Sequence, residues 1–264
     1  MDYKLNKESR KQKAAIWSKK MDDLYSSQID NSVKNSTIYP IKLSTDINTT
    51  NNKNNTSIDI RGDLDSVSAI FEYQRRYPKI AALNFASYKH PGGGFLNGAT
   101  AQEEALCFES NLYNILINFK ENFYEPNHKR FNKALYNSNL IYTPDVLFLK
   151  NNRKVTCDVI TCAAPNKKIA TEKYGLSDKV VNEAMENRID HILYSAYYNK
   201  SDCLILGAFG CGVFKNNPRD VAMIFRTLLE KKYIGVFKKV VFAIPNSNKN
   251  NNYKEFYNVF KKKC

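Results

Sequence analysis

Hydrophobic positions along this chain follow two periods, one typical of amphipathic helices and one typical of buried strands. Over Val180–Tyr198 apolar residues recur at steps of three and four, which predicts a helix. Over Ile80–Phe85 the apolar run is continuous, which predicts a buried strand. Because strands and helices alternate from residue 56 onward, we expect an α/β fold. In this three-layer α/β/α arrangement, helices would cover both faces of a largely parallel or mixed sheet.

The remaining elements are predicted from the same patterns and from the turn residues between them. Further strands are expected at Ser57–Arg61, Val155–Ala163, Cys203–Ala208 and Val240–Ile244. Further helices are expected at Leu64–Arg75, Gln102–Phe119, Pro218–Lys231 and Tyr253–Lys262.

The N-terminal segment differs in composition from the rest of the chain. Residues 7–25 predict a charged helix, and the Asn- and Thr-rich segment Asp46–Asn55 predicts a loop. The apolar face of that helix would use Ala15, Ile16, Met21 and Leu24 or Tyr25. We therefore expect an N-terminal helical extension over residues 1–55, packed on a single core domain over residues 56–264.

The charge balance is strongly basic, with 40 Lys and Arg against 26 Asp and Glu and a formal net charge of +14. Such an excess favours polyanionic partners through long-range attraction. The basic residues are scattered rather than gathered in one stripe, so lysines that merely maintain solubility explain the balance equally well. The charge is therefore compatible with an anionic polymer and indicates no more.

Cysteine usage indicates a reducing compartment. The six cysteines form no C-x-x-C pair and have no histidine at metal-ligand spacing. Most lie in apolar contexts, where a free cysteine behaves as a small hydrophobe. The N-terminus lacks an apolar signal core, and no run reaches transmembrane length. We therefore expect a soluble intracellular protein, cytoplasmic or nuclear, with no metal and no membrane partner.

A glycine-rich turn follows the predicted strand Ile80–Phe85, at the edge where ligands bind in open α/β sheets. It contains Gly92, Gly93 and Gly94 in succession. Glycine lets the backbone approach a ligand closely and adopt positive φ, so this run favours a binding loop over a simple turn. Asn84, a polar residue within the strand, would either hydrogen-bond a sugar hydroxyl or satisfy loop backbone.

Gln102-Glu103-Glu104 follows the glycines after seven residues, at the start of a predicted helix. Consecutive helical residues project about 100° apart. We therefore expect one carboxyl to protonate a leaving oxygen while its neighbour faces another way and holds sugar hydroxyls. Adjacent carboxylates also raise each other's proton affinity, which keeps one of them protonated near neutral pH. Alone, the pair would indicate helix capping, but the glycine loop before it favours chemistry.

A second glycine-rich turn, Gly207–Phe214, also follows an apolar strand and leads into a predicted helix. The backbone N–H groups of such a turn, with the following helix N-terminus, make a site for phosphate oxygens. Phe214 would either stack on a sugar or base or pack in the core. Neither glycine turn matches a P-loop or the Rossmann fingerprint.

Together these segments resemble the microbial-type poly(ADP-ribose) glycohydrolase family, which has a macrodomain fold. The matching segments are Leu83–Ser87, Pro91–Phe95, Gln102–Glu104, Val159–Pro165 and Gly207–Phe214. The likeness runs from about residue 80 to 245 and is weaker in the N-terminal helix; its specific part is the spacing from Gly-Gly-Gly to Gln-Glu-Glu. The resemblance implies hydrolysis of ribose–ribose O-glycosidic bonds in poly(ADP-ribose), releasing ADP-ribose without a metal or other cofactor.

The resemblance also implies roles for individual residues. Glu104 would be the general acid and Glu103 its ribose-holding partner, with Gln102 orienting both carboxylates. The substrate-binding residues would be Asn84, Gly92, Gly93, Gly94 and Phe95 in the first loop region, and Gly210, Cys211, Gly212, Val213 and Phe214 in the second. Asp63, Ala163 and Ala164 are weaker candidates on the adenosine side.

The implied mechanism needs only the protein and the substrate. Protonated Glu104 would donate to the leaving ribose oxygen, while the nearby diphosphate stabilises an oxocarbenium-like centre. The resulting carboxylate, or the diphosphate itself, would then deprotonate the attacking water. The expected partners are poly(ADP-ribose) or ADP-ribosylated protein and the product ADP-ribose, and we expect a monomer.

Three other functions stay open at this stage. A macrodomain that binds ADP-ribose without cleaving it needs the glycine loops but not the two glutamates. A hydrolase acting on mono-ADP-ribosylated protein or on modified nucleic acid would use the same loops. A nucleic-acid-binding protein using the +14 charge ranks last, because recognition motifs are lacking.

Overall fold

The computed structural model describes residues 5–40, 47, 56–129, 131–248 and 250–261. Its strands are β1 (Thr37–Tyr39), β2 (Ser57–Arg61), β3 (Ile80–Phe85), β4 (Leu140–Lys150), β5 (Arg153–Cys162), β6 (Cys203–Leu206) and β7 (Lys239–Ala243). They form one sheet in the order β1-β4-β5-β3-β6-β7-β2. Neighbours from β5 to β2 are parallel, whereas β4 is antiparallel to both β5 and β1. The predicted mixed sheet is confirmed.

Helices cover both faces of this sheet. They are α1 (Lys7–Asn35), α2 (Ser66–Tyr73), α3 (Gln102–Phe108), α4 (Leu112–Leu116), α5 (Glu125–Lys129), α6 (Lys167–Glu172), α7 (Asp178–Tyr198), α8 (Pro218–Lys231) and α9 (Asn252–Lys261). Alternate strand residues face opposite cores. In β6, Leu204 and Leu206 pack with α7, α8 and α9, whereas Cys203 and Ile205 pack with α1 to α4. The predicted three layers are confirmed.

In the middle of the chain one predicted helix is wrong and one strand was missed. The helix predicted over Gln102–Phe119 is interrupted after α3, because Ser110 leaves the helix to form a β-bridge with Phe148. Strand β4 was not predicted, because Pro144 and Asp145 read as a break. The strand instead continues through a bulge between Thr143 and Val146, where Asp145 adopts φ of 55°.

Helix α1 is longer than predicted and kinks at Tyr25, where φ is −137°. Its predicted apolar face is only partly right. Met21 is buried, but Ile16 and Leu24 are 68% and 60% exposed, and Ala14 occupies the core instead. The predicted loop Asp46–Asn55 lies outside the described residues apart from Ile47, so the division at residue 55 stays a prediction. No helix in the described ranges combines the length and apolar composition needed to cross a bilayer.

Candidate active site

Loops that leave the carboxyl ends of the parallel strands enclose a cavity of about 1100 Å³. The two glycine-rich turns form opposing parts of its wall, since β3 and β6 are neighbours in the sheet. Residues after β2 and β7 complete it. The volume is at the upper end of the range for small-molecule sites, which suits a ligand of dinucleotide size.

The first glycine turn is built tightly around the two glutamates. Gly92 and Gly93 adopt φ of 65° and 61°, a conformation that L side chains rarely adopt. A Cβ at Gly93 would lie 2.5 Å from Oε1 of Glu104 and 2.9 Å from Oε2 of Glu103. The absence of a side chain at Gly93 therefore makes room for both carboxylates. Both side chains bend around this one residue, and the expectation that only one carboxyl serves the reacting bond stays a prediction.

The hydrogen bonds distinguish the two glutamates, which are both buried at the start of α3. Oε2 of Glu103 accepts from the Ser87 amide at 2.6 Å, and its Oε1 accepts from Asn84 Nδ2 at 3.2 Å. Oε1 of Glu104 accepts from the Gly94 amide at 2.7 Å, while its Oε2 has no partner in the described part of the chain. Each oxygen of Glu103 thus already accepts one protein hydrogen bond, whereas Oε2 of Glu104 accepts none.

Burial raises the pKa of Glu103 to about 8, which is well above the ordinary value of a glutamate. The hydrogen bonds from Ser87 and Asn84 lower this pKa, and the neighbouring carboxylate of Glu104 raises it. At neutral pH the pair therefore retains a proton. The main cause is burial, whereas the sequence had suggested the neighbouring carboxylate as the cause.

Gln102 fastens the start of α3 to the end of β3. Its Oε1 accepts from the Phe85 amide at 2.9 Å, and its Nε2 donates to the Leu83 carbonyl at 2.8 Å and to Ser66 Oγ at 3.1 Å. The side chain makes no hydrogen bond to either glutamate. It orients the carboxylates by fixing the helix that carries them.

Two predicted substrate-binding side chains lie elsewhere. Asn84 is fully buried and bonds to Glu103 and Thr161, so it supports a carboxylate instead of lining the cavity. Phe95 is also fully buried and packs on Phe108 and Tyr113 at centroid distances of 4.7 and 5.0 Å. The turn at Gly92–Gly94 directs its ring into the core, so only its backbone belongs to the loop.

The second glycine turn presents unpaired backbone donors. The N–H groups of Gly212, Val213 and Phe214 donate to no acceptor within the described ranges. Gly210, Gly212, Val213 and Phe214 all line the cavity, and the Gly210 carbonyl accepts from Asn216 at 3.0 Å. Such amides suit the oxygens of a phosphate. The half-buried ring of Phe214 lies 6.1 Å from that of Tyr136, so it both packs and faces the ligand space.

The three weaker candidates for the adenosine side do not all reach the cavity. Ala164 lines the cavity, but Ala163 packs in a separate cluster with Tyr88 and Tyr136. Asp63 points away and forms a bidentate ion pair with Arg61 at 2.7 and 2.9 Å, which is why it does not reach the ligand space. Cys211 lies in the second turn, but its thiol faces the core, where burial raises its pKa.

Sequence reasoning missed several lining residues. Asp65, Ser66 and Val67, at the start of α2, occupy the place assigned to Asp63. The signal that could have found them is the helix N-cap at Asp65, which accepts from the Ser68 amide at 2.7 Å. Ser87 was also missed, because its contribution is a backbone N–H.

Charge in the cavity is negative rather than positive. Among the described residues that line it, none is a lysine or an arginine, whereas Asp65, Glu103 and Glu104 are acidic. No group of three or more metal-ligating side chains occurs in the described part of the chain. A bound diphosphate would therefore be held by backbone amides and would keep its negative charge next to the reacting sugar.

Comparisons with known proteins agree with this geometry. A family model described as the catalytic domain of microbial-type PARG, poly(ADP-ribose) glycohydrolase, matches residues 8–151. No curated protein matches the chain.

Solved structures of this kind align over nearly the whole chain. Poly(ADP-ribose) glycohydrolase from Thermomonospora curvata is 27% identical over 96% of this chain and 100% of its own, with a TM-score of 0.83. The same enzyme bound to the inhibitor ADP-HPD is 29% identical over 95% and 99%, with a TM-score of 0.82. The Deinococcus radiodurans enzyme in complex with ADP-ribose is 30% identical over 89% and 98%, with a TM-score of 0.79.

Proposed function

The chain belongs to the microbial-type poly(ADP-ribose) glycohydrolase family, and we propose that Glu104, assisted by Glu103, carries out its reaction. It is a glycoside hydrolase with a macrodomain-like fold that acts on poly(ADP-ribose) and releases ADP-ribose. Individual atoms of the site bind the substrate, and one of them transfers the proton.

The free Oε2 of Glu104 carries this proposal. The other three carboxylate oxygens of the pair accept hydrogen bonds from protein donors. Oε2 of Glu104 is buried and has no partner in the described structure. We therefore assign Oε2 of Glu104 as the oxygen that transfers the proton to the substrate.

The proposed reaction balances with water as the only other reactant. The proton passes from Glu104 to the ribose oxygen of the leaving polymer as the bond to the anomeric carbon breaks. The diphosphate, held by the amides of Gly212, Val213 and Phe214, stabilises the positive charge that develops on the sugar. Water then attacks the anomeric carbon and returns its proton to Glu104.

Glu103 has a positioning role in this scheme. It fixes the Ser87 backbone on one side and Asn84 on the other, because each of its oxygens accepts a hydrogen bond from one of them. The same positioning role belongs to Asn84, Gln102 and the glycines of the first turn. They hold both carboxylates at the wall of the cavity.

Replacing Glu104 with glutamine tests the assignment. The variant should release no ADP-ribose from poly(ADP-ribose), while calorimetric titration should show ADP-ribose binding largely intact. Glu186→Gln, at an exposed position on α7, is the matched control and should retain full activity. Full activity in Glu104→Gln would contradict the role of this residue.

We also propose that the protein acts inside the cell, as a monomer, on poly(ADP-ribose) or ADP-ribosylated protein. The five cysteines of the described part of the chain are free, which suits a reducing compartment. Self-associated protein in dilute solution, or disulfide-linked protein trapped directly from cells, would contradict this.

A further inference from the structure

No lysine or arginine of the described ranges lines the active-site cavity, but a second cavity contains a cluster of them. This cavity, of about 590 Å³, lies between α2 and the turn that joins β4 to β5. Its lining includes the cations Arg75, Arg76, Lys150 and Arg153 and one carboxylate, that of Glu72. We refer to it below as the basic cavity.

Much of this positive charge has no carboxylate partner. Glu72 is already paired with Arg61 at 2.7 Å, outside the lining. Lys150 pairs with Glu109 at 3.1 Å. The arginines form no ion pair within the described ranges, so their guanidinium groups keep donors for an external anion.

Contacts with aromatic rings hold two of these arginines in place. The Arg153 guanidinium lies 5.1 Å from the Phe71 ring and donates to the Phe71 carbonyl at 3.2 Å. The Arg76 guanidinium lies 5.8 Å from the Tyr73 ring. A planar guanidinium held in this way binds phosphate in a bidentate manner and loses little conformational entropy.

Helix α2 connects the basic cavity to the active site. Ser66 and Val67 line the active-site cavity, and Ser68, the next residue, lines the basic cavity. From Ser66 to Tyr73 the helix is about 12 Å long. A polyanion whose end lies in the active site would have to extend over about this distance to reach the arginines.

We propose that the basic cavity binds diphosphate groups of poly(ADP-ribose) away from the bond being cleaved. This rests on the proposed function, because the polymer carries a diphosphate in every repeat. The site would raise the affinity for long chains without taking part in bond cleavage. Its contribution would depend on chain length and would weaken with added salt.

The test removes the three arginines together, as Arg75→Ala, Arg76→Ala and Arg153→Ala in one protein. With long poly(ADP-ribose) at low ionic strength, KM should rise roughly tenfold while kcat is unchanged, as expected for the loss of a few exposed ion pairs. With the shortest oligomers, both constants should be unaltered. The difference in KM should disappear at high salt.

A matched control removes the same charge elsewhere, as Lys19→Ala, Lys179→Ala and Lys231→Ala, three exposed residues outside both cavities. It should behave like the unaltered protein. An unchanged KM for long polymer in the arginine variant, or an equal rise in the control, would overturn the proposal. So would binding of RNA or DNA that competes equally well for the arginines. If the unaltered protein failed to cleave even short oligomers, the proposed function itself would fall.

Discussion

Glu103→Gln should make the protein more stable at alkaline pH, because burial of this carboxyl opposes its ionisation. In the unfolded chain the carboxyl loses its proton near the ordinary value of 4.5, whereas in the folded protein it keeps the proton to about pH 8. The folded state therefore binds more protons between these two values, and its stability falls as the pH rises through that window. Below pH 4.5 both states are protonated and the penalty is absent.

The magnitude follows from about 1.4 kcal/mol for each pH unit in the window. The penalty amounts to about 3 kcal/mol at pH 7 and about 5 kcal/mol above pH 8. A glutamine stays neutral throughout and removes it. Its amide oxygen can still accept from Ser87. Its new NH2 group would face Asn84, whose amide can rotate to present the oxygen that now has no partner.

Thermal unfolding at pH 5 and pH 8.5 measures the effect. For a chain of this length, about 2 °C of Tm corresponds to each kcal/mol, so Tm should rise by about 10 °C at pH 8.5 and change little at pH 5. The same variant should lose most of its ADP-ribose release, so stability and turnover should move in opposite directions. Glu186→Gln is the control. A Tm difference that did not depend on pH would refute the reasoning.

Two further substitutions test the first loop. Gly93→Ala should lower turnover by at least about a hundredfold, because its Cβ would lie 2.5 Å from Oε1 of Glu104. Gly212→Ala, which would meet nothing within 4 Å, should keep most of the activity in the same assay, and equal losses would contradict the steric argument. Arg10→Ala removes a 2.8 Å bond to the Gly98 carbonyl. Loss of this bond should reduce the stability of the loop by about 1 kcal/mol and therefore lower kcat several-fold. Unchanged kinetics would exclude a role for Arg10.

The fold was predictable wherever local pattern and tertiary burial agree. Strands β2 and β3 and helix α8 begin and end where their sequences predict, because each is bounded by turn residues or by a proline at the helix start. Strand β4 was not predicted, because a proline that normally ends a strand is accommodated by a bulge. Edge strand β1 is three residues long and gives too short a pattern to recognise.

The parts of the site that depend only on neighbouring residues in the sequence were predictable. The adjacent glutamates and the glycines with positive φ are of this kind. The side-chain positions of Asn84 and Phe95 were not predictable. They depend on which residues from distant segments pack around them. The same is true of Ser87, which acts through an N–H group that every residue except proline possesses.

Helix α1 is about 43 Å long over its 29 residues, and it is fastened at both ends. Near its start Arg10 holds Gly98, beside the catalytic turn, and near its end Ser32 Oγ donates to the Asp145 carbonyl in the bulge of β4 at 3.2 Å. One continuous helix thus joins the loop beside the catalytic turn to the antiparallel edge of the sheet, so that displacing it would disturb both.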